Sequence, residues 1–228
     1  MNRSKNWINL FIALLLYIPL GFLQNSIDCR RKVEDLESRM LLMPGQMAGS
    51  LILGGFKGIA ADLLWLNVEE YWHDGAHYKL LPLLESIAWL QPTFITVWAV
   101  GGWHMAYNIY AACDGDPKQQ KYWYDQGVQY LKKGISNNRD RYDLYFELGW
   151  TYYHKGKDYP NAVRYLSRAV VFPHPDYVDN VLAHAYEKSG DIKTALACWE
   201  NILKSRSTFK SIAERMIHDL KTKGKATP

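Results

Sequence analysis

Cysteine is scarce. Cys29, Cys113 and Cys198 are an odd number of widely scattered thiols, which excludes a disulfide framework and any zinc-knuckle spacing. An excess of one charge is missing too. With 27 Lys and Arg against 23 Asp and Glu, the net charge is only +4, and acidic residues are mixed through the basic ones. No tract has the footprint of a nucleic-acid binder. Alternating strand patterns are lacking beyond residue 60, which excludes a β or α/β domain there. Motifs for catalysis are equally thin. "GGFKG" at 54 to 58 has the wrong glycine spacing for a phosphate loop, and no hydroxyl follows Lys57 to reach a magnesium ion. No Gly-x-Ser-x-Gly elbow occurs. His73 and His77 flank Asp74-Gly75, which marks a turn and leaves no metal-ligand set. The expectation is a chain with no catalytic centre, no cofactor and no metal.

Long apolar runs are absent but for one. Residues 7 to 23, "WINLFIALLLYIPLGFL", follow the basic "MNRSK" and approach the roughly 17 residues needed to span hydrocarbon. The flank "QNSIDCRRK" offers no small-x-small cleavage site, so residues 1 to 28 read as an uncleaved membrane anchor rather than a signal peptide. Arg3 and Lys5 on one flank compete with Arg30, Arg31 and Lys32 on the other, and the positive-inside rule leaves the orientation undecided. Residues 29 to 60 read as a charged stalk, "CRRKVEDLESR", followed by an apolar lead-in broken by Pro44, Gly45 and Gly49.

What the rest contains is a period. "YDLYFELGWTYYHKGKDYPNAVRYLSRAVVFPHP" is followed 34 residues later by "DYVDNVLAHAYEKSGDIKTALACWENILKSRSTF". Tyr145, Leu148, Gly149 and Tyr152 fall on one helix and Ala162, Leu166 and Ala169 on the next, with one residue inserted near Pro160; Leu182, Ala183, Tyr186, Ala195 and Trp199 repeat the arrangement. Leu64, Val68, Tyr71, Leu80, Leu84 and Ile87 form an earlier unit, and Trp98 and Met105 open another. In that second unit the turn is lengthened by about thirteen residues around "DGDPK", so either its first helix runs long or a loop of residues 111 to 126 projects. Gly101-Gly102 also stands where a large residue and glycine are expected. The small residues Gly149, Ala162, Ala183 and Ala195 let helix backbones approach, while Leu, Tyr and Trp fill the seams between hairpins. His174, Pro175 and Asp176 read as a helix boundary. Residues 210 to 228 read as a capping helix, with Ile212, Met216 and Leu220 on one face, and a basic tail.

Residues 61 to 209 resemble the tetratricopeptide-repeat superfamily, most specifically in the last two units. The "ADLLWL" and "YKLLPLLESIAWLQPTF" blocks are also similar to bacterial membrane-anchored tetratricopeptide-repeat proteins of unassigned function. The resemblance implies an all-α superhelical solenoid of about four hairpins with an N-terminal transmembrane helix and a C-terminal capping helix. It also implies a single-pass protein of the bacterial inner membrane with an extracytoplasmic repeat domain, acting as an interaction scaffold or assembly factor rather than an enzyme. In that register Trp65, Trp72, Trp103, Tyr107, Phe146, Trp150 and Tyr153 line the concave groove. Such a surface suits an apolar or aromatic-bearing protein or peptide partner, not nucleic acid. The alternative is an accessory subunit whose aromatic face is permanently buried in a larger membrane complex.

Overall fold

The computed structural model describes residue 19 and residues 57–75, 77–205 and 207–223. Apart from residue 19, the expected anchor, stalk and lead-in up to residue 56 lie outside them, as does most of the basic tail. Among the described residues, no helix is long and apolar enough to cross a membrane. The chain divides into two compact units, Met1–Gln91 and Pro92–Pro228, so the division falls inside the stretch read as one repeat domain.

Among the described residues, the first unit contains one hairpin of α1 (Lys57–His73) and α2 (His77–Leu90). Gly75 turns the chain between them at φ +68°, a conformation that costs a side-chain-bearing residue far more. Ala61 and Val68 of α1 and Leu80, Leu84, Ile87 and Ala88 of α2 are buried, as their helical spacing requires.

Three hairpins and a final helix make up the second unit. In the first of these, α3 (Ile95–Trp103) widens into a π-helical segment (His104–Ile109), ends in one α turn (Tyr110–Ala112), and packs on α4 (Pro117–Asn137). Of the two expectations for residues 111 to 126, the longer first helix is found and the projecting loop is not. The extra residues lengthen both helices, and the connection shrinks to Cys113–Asp116. The cause lies in the residues themselves. Gly115 adopts φ +86°, and the Asp116 carboxylate accepts from the backbone N–H groups of Lys118 and Gln119 at 3.0 and 3.1 Å, with Pro117 as the first helical residue.

The paired glycines also find their reason here. A Cβ on Gly101 would strike the ring of Tyr130 at 2.5 Å, so a tyrosine from α4 fills the space that a large residue 101 would occupy. Gly127 and Gly134 answer from α4, lying so close to α3 that a Cβ would meet the carbonyl oxygen of Gly102 at 2.8 Å and Trp98 at 2.7 Å. Asn138, buried at the end of α4, donates to the carbonyls of Gly134 and Pro92 and fixes the start of α3.

The next hairpin joins α5 (Tyr142–Trp150), continued by a second π-helical segment (Thr151–Gly156), to α6 (Tyr159–Ala169). The last joins α7 (Asp176–Ser189) to α8 (Ile192–Lys204), and α9 (Lys210–Lys223) closes the unit. Gly149 lies against Leu166, while Ala162, Ala183 and Ala195 are fully buried, as the close helix contacts demand. Ala213, Met216 and Leu220 of α9 cover Trp199 and Ile202 of α8, and Ile212 lies at the margin. His174 bridges the α6–α7 turn, with Nδ1 at 2.6 Å from the Phe172 carbonyl oxygen and Nε2 at 3.1 Å from Asp179.

The one-residue insertion near Pro160 is absorbed by the second π-helical segment. From Trp150 to Asp158, which caps α6, is one residue farther than from His184 to Asp191, which caps α8. A π turn accommodates one added residue without breaking a helix. Gly156 is thereby drawn into the helix against the Tyr124 hydroxyl, and Lys157 takes the left-handed position at φ 51° that Gly190 holds at φ 88° in the last hairpin.

Candidate functional site

The first helices of the second unit's three hairpins carry a connected series of aromatic rings. Trp103 stacks near Tyr107 with centroids 6.4 Å apart, and Tyr107 reaches across to His154 of the next hairpin at 5.8 Å and 16°. His154 lies parallel to Trp150 at 5.1 Å and 5°. Trp150 in turn meets Phe146 at 6.5 Å and Tyr153 at 5.7 Å. Phe146 then contacts Tyr177 of α7 edge-on at 5.0 Å, and the Tyr177 hydroxyl is 3.4 Å from that of Tyr142. Offset and edge-on contacts of this kind each add roughly 0.5 to 1.5 kcal/mol beyond burial. The rings are not sealed in. Trp103 is 43 % exposed and Tyr177 39 %, and Tyr107, Phe146, Trp150 and Tyr153 are half-buried.

Five of the sequence-predicted residues, Trp103, Tyr107, Phe146, Trp150 and Tyr153, thus share one continuous surface. Trp65 and Trp72 lie half-buried on α1 of the other unit. His154 and Tyr177 complete the series, although neither belonged to the predicted set. The spacing put both on the same helix face, but only the stacking distances reveal that they join one hairpin to the next.

Both π-helical segments begin directly after a tryptophan of this surface, Trp103 in one hairpin and Trp150 in the next. Tyr107 and His154, the pair that joins these hairpins, are each presented from a π turn.

The electrostatics of the surface differ from end to end. At the Tyr107 end, Lys155 Nζ sits 3.6 Å from the centroid of Tyr110 and 5.6 Å from that of Tyr107, a cation over aromatic faces. Burial lowers the pKa of this lysine. Burial and then Lys157 and Lys155 hold His154 below the usual histidine range. Burial pushes Tyr107 up to about 12, with Thr151 opposing and the charge of Glu147 adding to the rise.

Glu147 itself is pushed up to about 7, first by burial and then by Asp143. Its charge also contributes to raising Tyr177, after burial and the Tyr142 hydroxyl. One carboxylate therefore acts on rings from both neighbouring hairpins. Among the described residues, no group of three or more His, Cys, Asp or Glu is placed to hold a metal ion.

Neither family models nor curated proteins match this chain. Solved structures do. A thermophilic tetratricopeptide-repeat protein of Thermus thermophilus, TTC0263, is similar over 75 % of this chain and 93 % of its own, at 17 % identity and a TM-score of 0.50. The MamA protein is similar over 73 % of this chain and 84 % of its own, at 14 % identity and a TM-score of 0.52. Likeness at such low identity speaks to architecture alone, and it agrees with the 34-residue period and the helix hairpins found here. The chain has an all-α fold of the tetratricopeptide-repeat type.

Proposed function

We propose that this protein is a membrane-tethered interaction scaffold or assembly factor that holds a partner protein against the aromatic face of its second unit. The observation that supports the reading is the ring series from Trp103 to Tyr177, which crosses three hairpins and stays partly open to solvent. A soluble domain gains nothing in solubility from a continuous half-exposed aromatic surface. Tryptophan and tyrosine offer large contact area for little conformational entropy, so an apolar or aromatic-bearing segment gains most from them. Tethering rests on the apolar run of residues 7 to 23, and the bacterial inner membrane is the proposed location.

Two measurements test this reading. Carbonate extraction and intact mass should find the full chain in the membrane fraction; a soluble chain beginning after residue 23 would remove the tether. For the binding face, a partner captured from native membranes should lose about thirtyfold in affinity, roughly 2 kcal/mol, on Trp103→Ala or Trp150→Ala. Lys188→Ala, at the polar end, should change little. If both tryptophan variants keep normal helical circular dichroism and full affinity, the aromatic face is not where the partner binds.

A further inference from the structure

The carboxylates on α5 and α7 are nearly all accounted for. Asp143 pairs with Arg141 at 3.2 Å, Asp179 lies 3.1 Å from His174 Nε2, and Glu187 lies 3.5 Å from His184 Nδ1. Asp176 accepts from the backbone N–H of Thr208 at 3.1 Å. Even so, the buried Oε2 of Glu187 makes no hydrogen bond, and Glu147 differs from the rest in lacking an ion pair as well. Among the described residues it has neither a hydrogen-bond nor an ion-pair partner, although it is as buried as the rings around it. An unpaired carboxylate in such a position carries a desolvation cost that a cation would offset.

The rings next to Glu147 point the same way. Aromatic faces attract cations, and at the Tyr107 end the protein supplies its own, Lys155. At the other end, no lysine or arginine among the described residues lies over Phe146, Trp150 or Tyr177. A carboxylate stands there instead, flanked in its helix by Phe146 and Trp150 and acting electrostatically on Tyr177. Arginine satisfies both groups at once: its planar guanidinium stacks on a ring while its edge donates to a carboxylate, and the charge of lysine does so less directionally.

We infer that the segment bound on this face carries a cationic side chain, arginine or lysine, held by the Glu147 carboxylate against Phe146, Trp150 and Tyr177. The inference rests on the partner-binding role proposed for that face and narrows the partner to a basic residue set among apolar or aromatic ones. It excludes an acidic peptide terminus, which would place like charge beside Glu147.

The test uses the full-length protein in detergent, immobilised, and a random-peptide display library as the probe. Selected peptides should carry arginine or lysine next to apolar or aromatic residues. Replacing that cation by glutamine in a synthetic copy should weaken binding roughly tenfold. Glu147→Gln in the protein should abolish the difference between the two peptides, since the isosteric amide keeps the shape and removes the charge. Trp150→Ala should weaken every selected peptide. Peptides without a cation, or a Glu147→Gln protein that still distinguishes arginine from glutamine as the parent does, would overturn the cation site and leave the aromatic face standing. Peptides indifferent to Trp150→Ala, or a selection that yields nothing above background, would count against the face and the cation site together.

Discussion

The last two hairpins of the second unit share one repeat pattern and put it to opposite use. Leu148, Gly149 and Tyr152 of the α5 hairpin correspond, 34 residues on, to Leu182, Ala183 and Tyr186 of the α7 hairpin, and these residues hold the helices together in both. At the positions facing away from that seam, Phe146, Trp150, Tyr153 and His154 are replaced by Asn180, His184, Glu187 and Lys188. One hairpin thus presents rings and the other presents polar groups on nearly the same scaffold. The packing residues and the half-exposed rings occupy different stripes of the helix, and one can change without the other.

Several substitutions would break or sharpen that contrast. The largest effect should come from the packing stripe. Trp199 is fully buried in α8 beneath the capping helix, so Trp199→Ala should cost about 3 to 5 kcal/mol of stability. Trp150→Ala, at a half-exposed position, should cost much less. Urea unfolding of both variants checks this, and equal losses would mean that the rings of α5 are as much core as Trp199.

Glu147 comes next. Its folded pKa is raised from the ordinary 4.5 to about 7, so the folded protein holds this proton more tightly than the unfolded chain. At a pH below the ordinary value both states are protonated and nothing is lost; between about 4.5 and 7 the unfolded chain ionises while the folded carboxylate stays protonated, so a cost on the order of 3 kcal/mol builds over that window and is complete above it. Glu147→Gln has no such cost. Its stability relative to the parent should therefore climb between about pH 4.5 and 7 and level off above, and a constant difference would mean that the carboxylate ionises as freely as in water.

Ala195, fully buried where α8 approaches its neighbours, tests the small-residue rule of the polar hairpin. Ala195→Leu should destabilise by about 2 kcal/mol through overpacking. An unchanged midpoint in urea would show that the helices there are not in close contact.

The smallest change concerns the turns. Lys157 occupies the left-handed region where the polar hairpin has Gly190, so Lys157→Gly should add a few tenths to about 1 kcal/mol. Gly190→Lys should lose at least as much. Melting temperatures moving in the same direction for both would remove the equivalence between the two turns.

Much of this fold was legible in the residues. The 34-residue spacing and the small residues at 149, 162, 183 and 195 are local features, and they correspond directly to hairpins and close helix contacts. The insertion at 111 to 126 was visible as a length, with a longer first helix and a projecting loop both open. The signal for helix was nevertheless present in Gly115-Asp116-Pro117, a left-handed glycine, a capping aspartate and a first-turn proline. Tyr130 filling the space beside Gly101 could not be read, because it depends on how closely α3 and α4 approach across the hairpin. The same holds for the site. Repeat register pointed to Trp103, Tyr107, Phe146, Trp150 and Tyr153, but the link from Tyr107 through His154 to Trp150, and the lack of a partner for Glu147, are properties of distance between helices.

The π turn after Trp150 has a consequence for how such arrays diversify. An added residue in a helix rotates everything after it by about 100° unless a wider turn absorbs it. The residues through Trp150 keep the repeat's register, Tyr152 still stacks on Tyr165 of α6 at 5.6 Å, and the turn that leads into α6 comes one residue later. The π turn works as a vernier on the helix end: one inserted residue is taken up there while the hairpin stays in place.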